Sequence, residues 1–246
     1  MNSRVILVSD DRSSLRSPDT LLWPDAACMR GIHTGEWTAH IFEYAMSFEG
    51  NMTQVRELAA ANGVGVLHPH GALATDPPGL IVCDVDSTVT RTEAIDLLAE
   101  CAGKADEVRE ITARAMVGEL DFTQSLYARV RCLEGLHIGA LEEAWKATVI
   151  TPGTAELVAA AHDVGAAVGL VSGGFTAVVD PLAEQIGADF AASNELEIVD
   201  NHLTGRVVGD IIDRAAKATW LRRWASERGV ALERTIALGD GANDLD

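Results

Sequence analysis

Positive charge is what this chain has least of. Its 246 residues hold 19 Lys and Arg against 37 Asp and Glu, a formal net charge of −18. That deficit argues against a nucleic-acid backbone or an anionic membrane surface as the main partner. It also means that any anionic substrate must be attracted locally. No apolar run approaches the ~18 residues of a membrane span. The start, MNSRVILVSDDRSS, lacks the apolar stretch and cleavage site of a signal peptide. The four cysteines, Cys28, Cys83, Cys101 and Cys132, show no CxxC spacing, which favours a reduced, cytoplasmic protein. Internal repeats and low-complexity tracts are absent, and no recognisable closing element follows GDGANDLD. What is present is ordinary for a globular chain: 48% hydrophobic and 23% charged residues. The length suits one large domain or two small ones, with a core that needs no disulfide or structural metal.

Residues 1–78 differ from the rest. They carry 9 acids and 5 bases, net −4, which leaves −14 for the remainder, and four of the seven histidines. RVILVS at 4–9 reads as a strand, 52–62 as a helix and 64–68 as another strand, with irregular material between. TDPP at 75–78 reads as a linker, because paired prolines continue neither a helix nor a central strand. This is a small N-terminal α+β domain. Trp23 and Trp37 suit a small core or an interface; sensing of an amino acid, homodimerisation and shielding of the core all stay open as roles.

From residue 79 the pattern changes. GLIVC at 79–83 is a strand buried on both faces. Residues 92–150 carry successive helical stripes, and Asp121 is a plausible N-cap for the third. The block is too long for one crossover helix, so it reads as an inserted helical cap. After Pro152, helix and strand alternate: helix 154–163, strand 166–171, helix 175–186, a strand-like 189–192, a hairpin from 195–199 and 203–208 around Asp200-Asn201-His202, helix 215–228 and strand 235–238. The expected fold is α/β, a Rossmann-like parallel sheet over 79–246 with the inserted cap.

In such sheets ligands bind beyond the carboxyl ends of the strands. Three strands end in unusual polar sequences: Asp84-Val85-Asp86-Ser87-Thr88, Ser172-Gly173-Gly174 and Gly239-Asp240-Gly241-Ala242-Asn243-Asp244. Lys217 starts the helix before the third. One of two neighbouring aspartates can act as a nucleophile and the other as general acid and base. Mg²⁺ takes hard oxygen ligands and few protein carboxylates, a need that Asp84 and Asp240 fit. Backbone N–H groups around Ser172-Gly173 and Ser87-Thr88 can cradle a phosphate, and Lys217 can supply fixed positive charge. Each piece alone is ordinary: a polar turn, a flexible loop, a surface lysine. Their joint occurrence, in this order, points to a metal and a phosphoryl group. His68 and His70 read as a surface turn, and Cys83 as packing.

DVDSTVTRTEAID, ARAMVGELDFTQSLYARV, VSGGFT, SNELEIVDNHLTGRVVGDIIDRAAKA and GDGANDLD together resemble the haloacid dehalogenase-like phosphatases, and within them the phosphoserine phosphatase family. The resemblance covers residues 79–246. It implies Mg²⁺-dependent hydrolysis of O-phospho-L-serine to L-serine and phosphate, the last step of serine biosynthesis. Asp84 would be the phosphorylated nucleophile and Asp86 the general acid and base. Asp84, the Asp86 carbonyl and Asp240 would hold Mg²⁺, with Asp244 in support. Ser172, Gly173 and Lys217 would bind the phosphoryl group, with Asn243 near it. Glu93 would face the substrate ammonium and Arg129 its carboxylate, while Met116 and Phe122 would close the cap. The same motifs would serve transfer to homoserine or another hydroxyl acceptor, another small phosphomonoesterase, or a non-catalytic serine-binding module. The resemblance also implies further elements after GDGAND. An end at Asp246 would then leave strand 235–238 an open edge and the protein weakly stable and impaired in activity.

Overall fold

A computed structural model of the protein describes residues 3–9, 28–34, 37–44 and 52–241. The chain divides into two compact units, Met1–Pro77 and Pro78–Asp246.

The described residues of the first unit form an antiparallel sheet and a helix: β1 (Ser3–Ser9), β2 (Cys28–Thr34), β3 (Trp37–Tyr44), α1 (Met52–Ala61) and β4 (Gly65–Leu67), with the strands in the order β2-β3-β1-β4. β1 lies between β3 and β4, with Leu7 and Ser9 on its buried side. β2 and β3 occupy a stretch that the sequence presents as irregular. Neither CMRGIHT nor WTAHIFEY alternates cleanly, and their pairing with β1 and with each other supplies what local pattern does not. Trp23 lies outside the described residues.

The second unit is an α/β sheet of order β8-β7-β6-β5-β9, formed by β5 (Leu80–Cys83), β6 (Ala167–Phe175), β7 (Phe190–Val199), β8 (His202–Val208) and β9 (Thr235–Leu238). β9, β5, β6 and β7 run parallel, and β8 is antiparallel. Alternation sends Ile81 and Cys83 of β5 to one face and Leu80 and Val82 to the other. The first face is covered by α6 (Thr154–Asp163) and α7 (Thr176–Ile186), through Val158, Ala161, Val179 and Leu182. The second is covered by α8 (Arg214–Glu227), whose Trp224 and Ala225 pack against Leu80 and Val171. A parallel sheet covered on both faces explains why its strands read as continuous apolar runs.

Between β5 and β6 come α2 (Ala94–Cys101), α3 (Ala105–Met116), α4 (Phe122–Arg131) and α5 (Gly139–Ala147). A bridge between Thr90 and Ile150 joins the two ends of this insertion at its base. Asp121 caps α4 in a capping box: its carboxylate accepts the Gln124 N–H at 2.8 Å, and Gln124 Oε1 accepts the Asp121 N–H at 3.1 Å.

β7 changes partners along its length. It runs parallel to β6 as far as Asn194 and antiparallel to β8 from Glu195. The sequence suggested a break between 192 and 195; the structure carries one strand through it. Asp200 and Asn201, at φ 50° and 62°, form the two-residue turn to β8, the conformation a tight hairpin of right-handed twist requires. The hairpin leaves the main sheet and packs under the inserted helices, where Leu196, Leu203 and Val207 share an apolar cluster with Leu98, Leu126, Val130 and Leu133. No helix among the described residues is long and apolar enough to cross a membrane.

Candidate active site

β5 delivers Asp84 to the carboxyl edge of the sheet. The Asp84 N–H still donates to Leu238 O of β9 at 2.8 Å, and the residue is buried. A wide turn follows over Val85–Val89, in which Asp86 is extended and Ser87 takes φ 59°. That turn sets both carboxylates on one cavity of about 540 Å³, lined also by Glu93, Phe122, Arg129, Gly173, Arg214, Lys217 and Asp240.

Lys217 reaches the cavity because Asp213 caps α8, accepting the Ala216 N–H at 2.8 Å. One turn in, the Lys217 ammonium stands 2.8 Å from Asp84 Oδ1, both side chains almost wholly buried. Asp86 is held differently: Oδ1 accepts the Ala94 N–H at the start of α2 at 3.1 Å, and Oδ2 accepts the Ser172 hydroxyl at 3.1 Å. Burial pushes the Asp86 pKa up to about 6, helped by the charges of Glu93 and Asp84 and opposed by those two hydrogen bonds. Asp86 thus keeps its proton to higher pH than an ordinary carboxyl, a property that suits a general acid and base.

Ser172 is fully buried, and its Oγ also accepts the Gly174 N–H at 2.7 Å, which fixes the irregular last part of β6. Gly173 has no room for a side chain: a Cβ would lie 2.7 Å from Phe122 Cζ. Glu93, at the N-cap of α2, accepts the Ser87 hydroxyl at 2.9 Å. Arg129 is largely buried; desolvation lowers its pKa, while the carboxylates of Glu93, Asp96 and Asp86 raise it. Its guanidinium stays charged. The cavity lining thus holds Asp84 paired with Lys217, and also Glu93 and Arg129, which influence each other electrostatically.

The structure brings Asp84, Asp86, Glu93, Phe122, Arg129, Gly173, Lys217 and Asp240 to this one cavity, with Ser172 buried beneath Asp86. It does not bring Met116, which ends α3 and is 84% exposed. Asn243 and Asp244 lie outside the described residues. Two further residues matter. Arg214 lines the cavity as a second cation on α8, and nothing in its sequence context separates it from a surface arginine. Asn194 is buried: its amide donates to Gly173 O at 2.8 Å and accepts the Ile212 N–H at 2.9 Å, tying the end of β6 to the segment that leads into α8. A polar residue at the end of a buried strand was the available signal.

Asp84 and Asp240 offer oxygen donors only, from two neighbouring strands, which suits a hard divalent cation with its own waters. Among the described residues no group of three His, Cys, Asp or Glu side chains forms a closed metal cage.

Comparison with known proteins agrees with this geometry. The chain is 52% identical over 188 residues to a phosphoserine phosphatase of Streptomyces coelicolor, covering 76% of this chain and 46% of that protein. It is 50% identical over 167 residues to the phosphoserine phosphatase of Streptococcus thermophilus, covering 68% and 78%. The chain thus spans about half the length of the first relative and most of the second. Its fold matches the crystal structure of a probable phosphoserine phosphatase from Vibrio cholerae with a TM-score of 0.80 at 34% identity, over 98% of this chain and 74% of that one. The family model for haloacid dehalogenase-like hydrolases matches residues 81–246, the stretch that builds the sheet, the inserted helices and the cavity, and the chain belongs to that family.

Proposed function

We propose that this protein is a Mg²⁺-dependent phosphoserine phosphatase. It converts O-phospho-L-serine and water to L-serine and phosphate, the last step of serine biosynthesis, in the cytoplasm. The observation that carries this reading is a division of labour in one cavity. Asp84 beside Lys217 provides a nucleophile and a fixed cation for a phosphoryl group. Glu93 and Arg129 provide an anion and a cation for an amino-acid zwitterion. The relatives' names point the same way.

The phosphate binds between Lys217, the Ser172-Gly173 backbone and the Ser87-Thr88 turn. An Asp84 carboxylate oxygen attacks phosphorus while Asp86, protonated, gives its proton to the departing serine oxygen. That exchange leaves an acyl phosphate on Asp84 and a carboxylate on Asp86. Asp86 then takes a proton from water, which attacks phosphorus and frees phosphate, restoring both groups. A metal ion held by Asp84, Asp240 and the Asp86 carbonyl, with Asp244 in support, supplies charge neutralisation for the phosphoryl oxygens when bound. By the family resemblance, Asn243 would hydrogen-bond near the phosphate. Arg129 takes the substrate carboxylate bidentately and Glu93 its ammonium. Phe122 covers the opening. A covering role for Met116 requires the end of α3 to move toward the cavity from its exposed position. Residues 1–78 form a separate domain in this proposal, with homodimerisation as one role to be read by light scattering.

The test is phosphate release from O-phospho-L-serine with and without Mg²⁺, with homoserine as a competing acceptor. Metal-dependent release of free phosphate, lost in Asp84→Asn with the fold retained, is the expected result. A phosphorylated acceptor in place of free phosphate, or near wild-type release by Asp84→Asn, overturns the proposal.

A further inference from the structure

Helix α4 carries Phe122 and Arg129, and both of its ends rest on glycines. At the N-terminal end Phe122 lies against Gly173. At the C-terminal end the last turn and the residues after it lie on Gly205 of β8. A Cβ at Gly205 would stand 3.0 Å from Glu134 Cβ, 3.3 Å from Arg131 Cα and 3.4 Å from Arg131 O, and Gly205 has φ +77°. Two of those three atoms are backbone, which cannot swing aside as a side chain can.

The contact lies within a seam that holds the helix end on the hairpin. The Gly135 N–H donates to Leu203 O at 2.8 Å, and the Leu203 N–H donates to Leu136 O at 2.8 Å. Leu126 and Val130 of α4 are buried with Leu196 and Leu203. Arg129 sits two residues before the helix end at Arg131. Its Nε donates to Ser125 O of the same helix at 3.4 Å, so the guanidinium follows wherever α4 goes.

We infer that Gly205 is a positioning residue for substrate recognition: by letting the last turn of α4 lie directly on β8, it sets where Arg129 stands over the cavity. The inference rests on the carboxylate-binding role of Arg129 proposed above. It goes beyond that role in placing a determinant of specificity on the hairpin, outside the cavity lining.

The test is Gly205→Ala in the full chain, read in two ways. The first compares O-phospho-L-serine with p-nitrophenyl phosphate, which has the phosphoryl group but neither ammonium nor carboxylate. The KM for phosphoserine rises roughly 10-fold while its kcat, and kcat/KM for p-nitrophenyl phosphate, stay within about twofold. The second is amide hydrogen exchange: the amides of α4 exchange on the order of 10-fold faster, while those of α7 are unchanged. Glu134→Gly, added to Gly205→Ala, removes the 3.0 Å contact and recovers part of the KM. Should Gly205→Ala not fold, Gly205→Asn carries the same measurements with less backbone strain, since Asn tolerates positive φ better. Equal losses on both substrates, or an unchanged KM, overturn the positioning role. Should wild type release no phosphate from O-phospho-L-serine, the proposed function falls on that result alone, and unchanged α4 exchange in the variant then overturns the seat.

Discussion

Lys217 Nζ stands 2.8 Å from Asp84 Oδ1, each almost fully withdrawn from water. In a chain of net charge −18 this places a buried cation where the proposed reaction needs to admit an anion. Whatever the long-range field, a phosphoryl group entering the cavity meets a desolvated ammonium already in place, where electrostatic interactions are much stronger than in bulk water.

Lys217→Met should therefore do two separable things. It leaves Asp84 buried with one cation fewer, which costs about 3 kcal/mol of stability, as breaking buried pairs generally does. It also removes charge at the phosphoryl site, so kcat/KM falls by roughly 10³-fold. Denaturant melts and steady-state kinetics read the two effects. A variant as stable and as active as wild type would show that the pair is incidental.

Asp86 gives a pH signature in metal-free protein. Its folded pKa, about 6, lies above the ordinary value of 3.8, so the folded state holds a proton that the unfolded state has released between those pH values. The carboxylate costs nothing below pH ~4, and its cost grows to about 3 kcal/mol above pH ~6. Asp86→Asn, neutral at every pH, should gain stability relative to wild type as pH rises through that window and then level off. Urea melts of both proteins at several pH values in EDTA test this; a pH-independent difference contradicts it.

Arg129→Ala should raise the KM for O-phospho-L-serine on the order of 10²-fold, because a planar carboxylate loses a bidentate partner. Turnover of p-nitrophenyl phosphate should be little affected. Parallel loss on both substrates would assign Arg129 to packing of α4.

Asp189, at the opposite end of the sheet from the cavity, is a joint between three elements. Its Oδ2 accepts the Val168 N–H of β6 at 2.8 Å and lies 2.9 Å from His162 Nε2 of α6, and its Oδ1 lies 3.3 Å from Arg228. Burial pushes its pKa up, but these partners outweigh burial and hold it below the ordinary value. The stabilisation is present above pH ~4 and is lost as pH falls further. Asp189→Ala leaves a backbone N–H unpaired and should cost about 2 kcal/mol with kcat unchanged. Thermal melts and phosphate release measure the two; a loss of activity at full stability would refute a purely structural role.

The Asp84 end of the candidate site was readable because its residues are contiguous in sequence. Asp84 and Asp86 follow the apolar strand β5 within three residues, and Ser172 and Gly173 directly follow the apolar run of β6, whose burial is plain from composition. Arg129 was not readable from physics alone. Its residue type is common on helix surfaces, and only the placement of α4 turns it inward. Arg214 and Gly205 are harder still: one looks like any helix-start arginine, the other like any turn glycine. Their significance arises from contacts between segments far apart in sequence. The strands at 28–34 and 37–44 failed for a related reason, since β pairing depends on partners that a local pattern does not contain.

β7 crosses from the core sheet into the hairpin without a break, and Asn194 at the crossing is bonded to both Gly173 O and the Ile212 N–H. Mechanically this makes β7 a beam pinned where it passes the end of β6. The Asp200-Asn201 tip is itself tied to the segment after α4, where the Ile138 N–H donates to Asn201 O at 3.0 Å and the Gly135 N–H to Leu203 O at 2.8 Å. A label or tether attached to that turn therefore pulls first on the segment that follows α4.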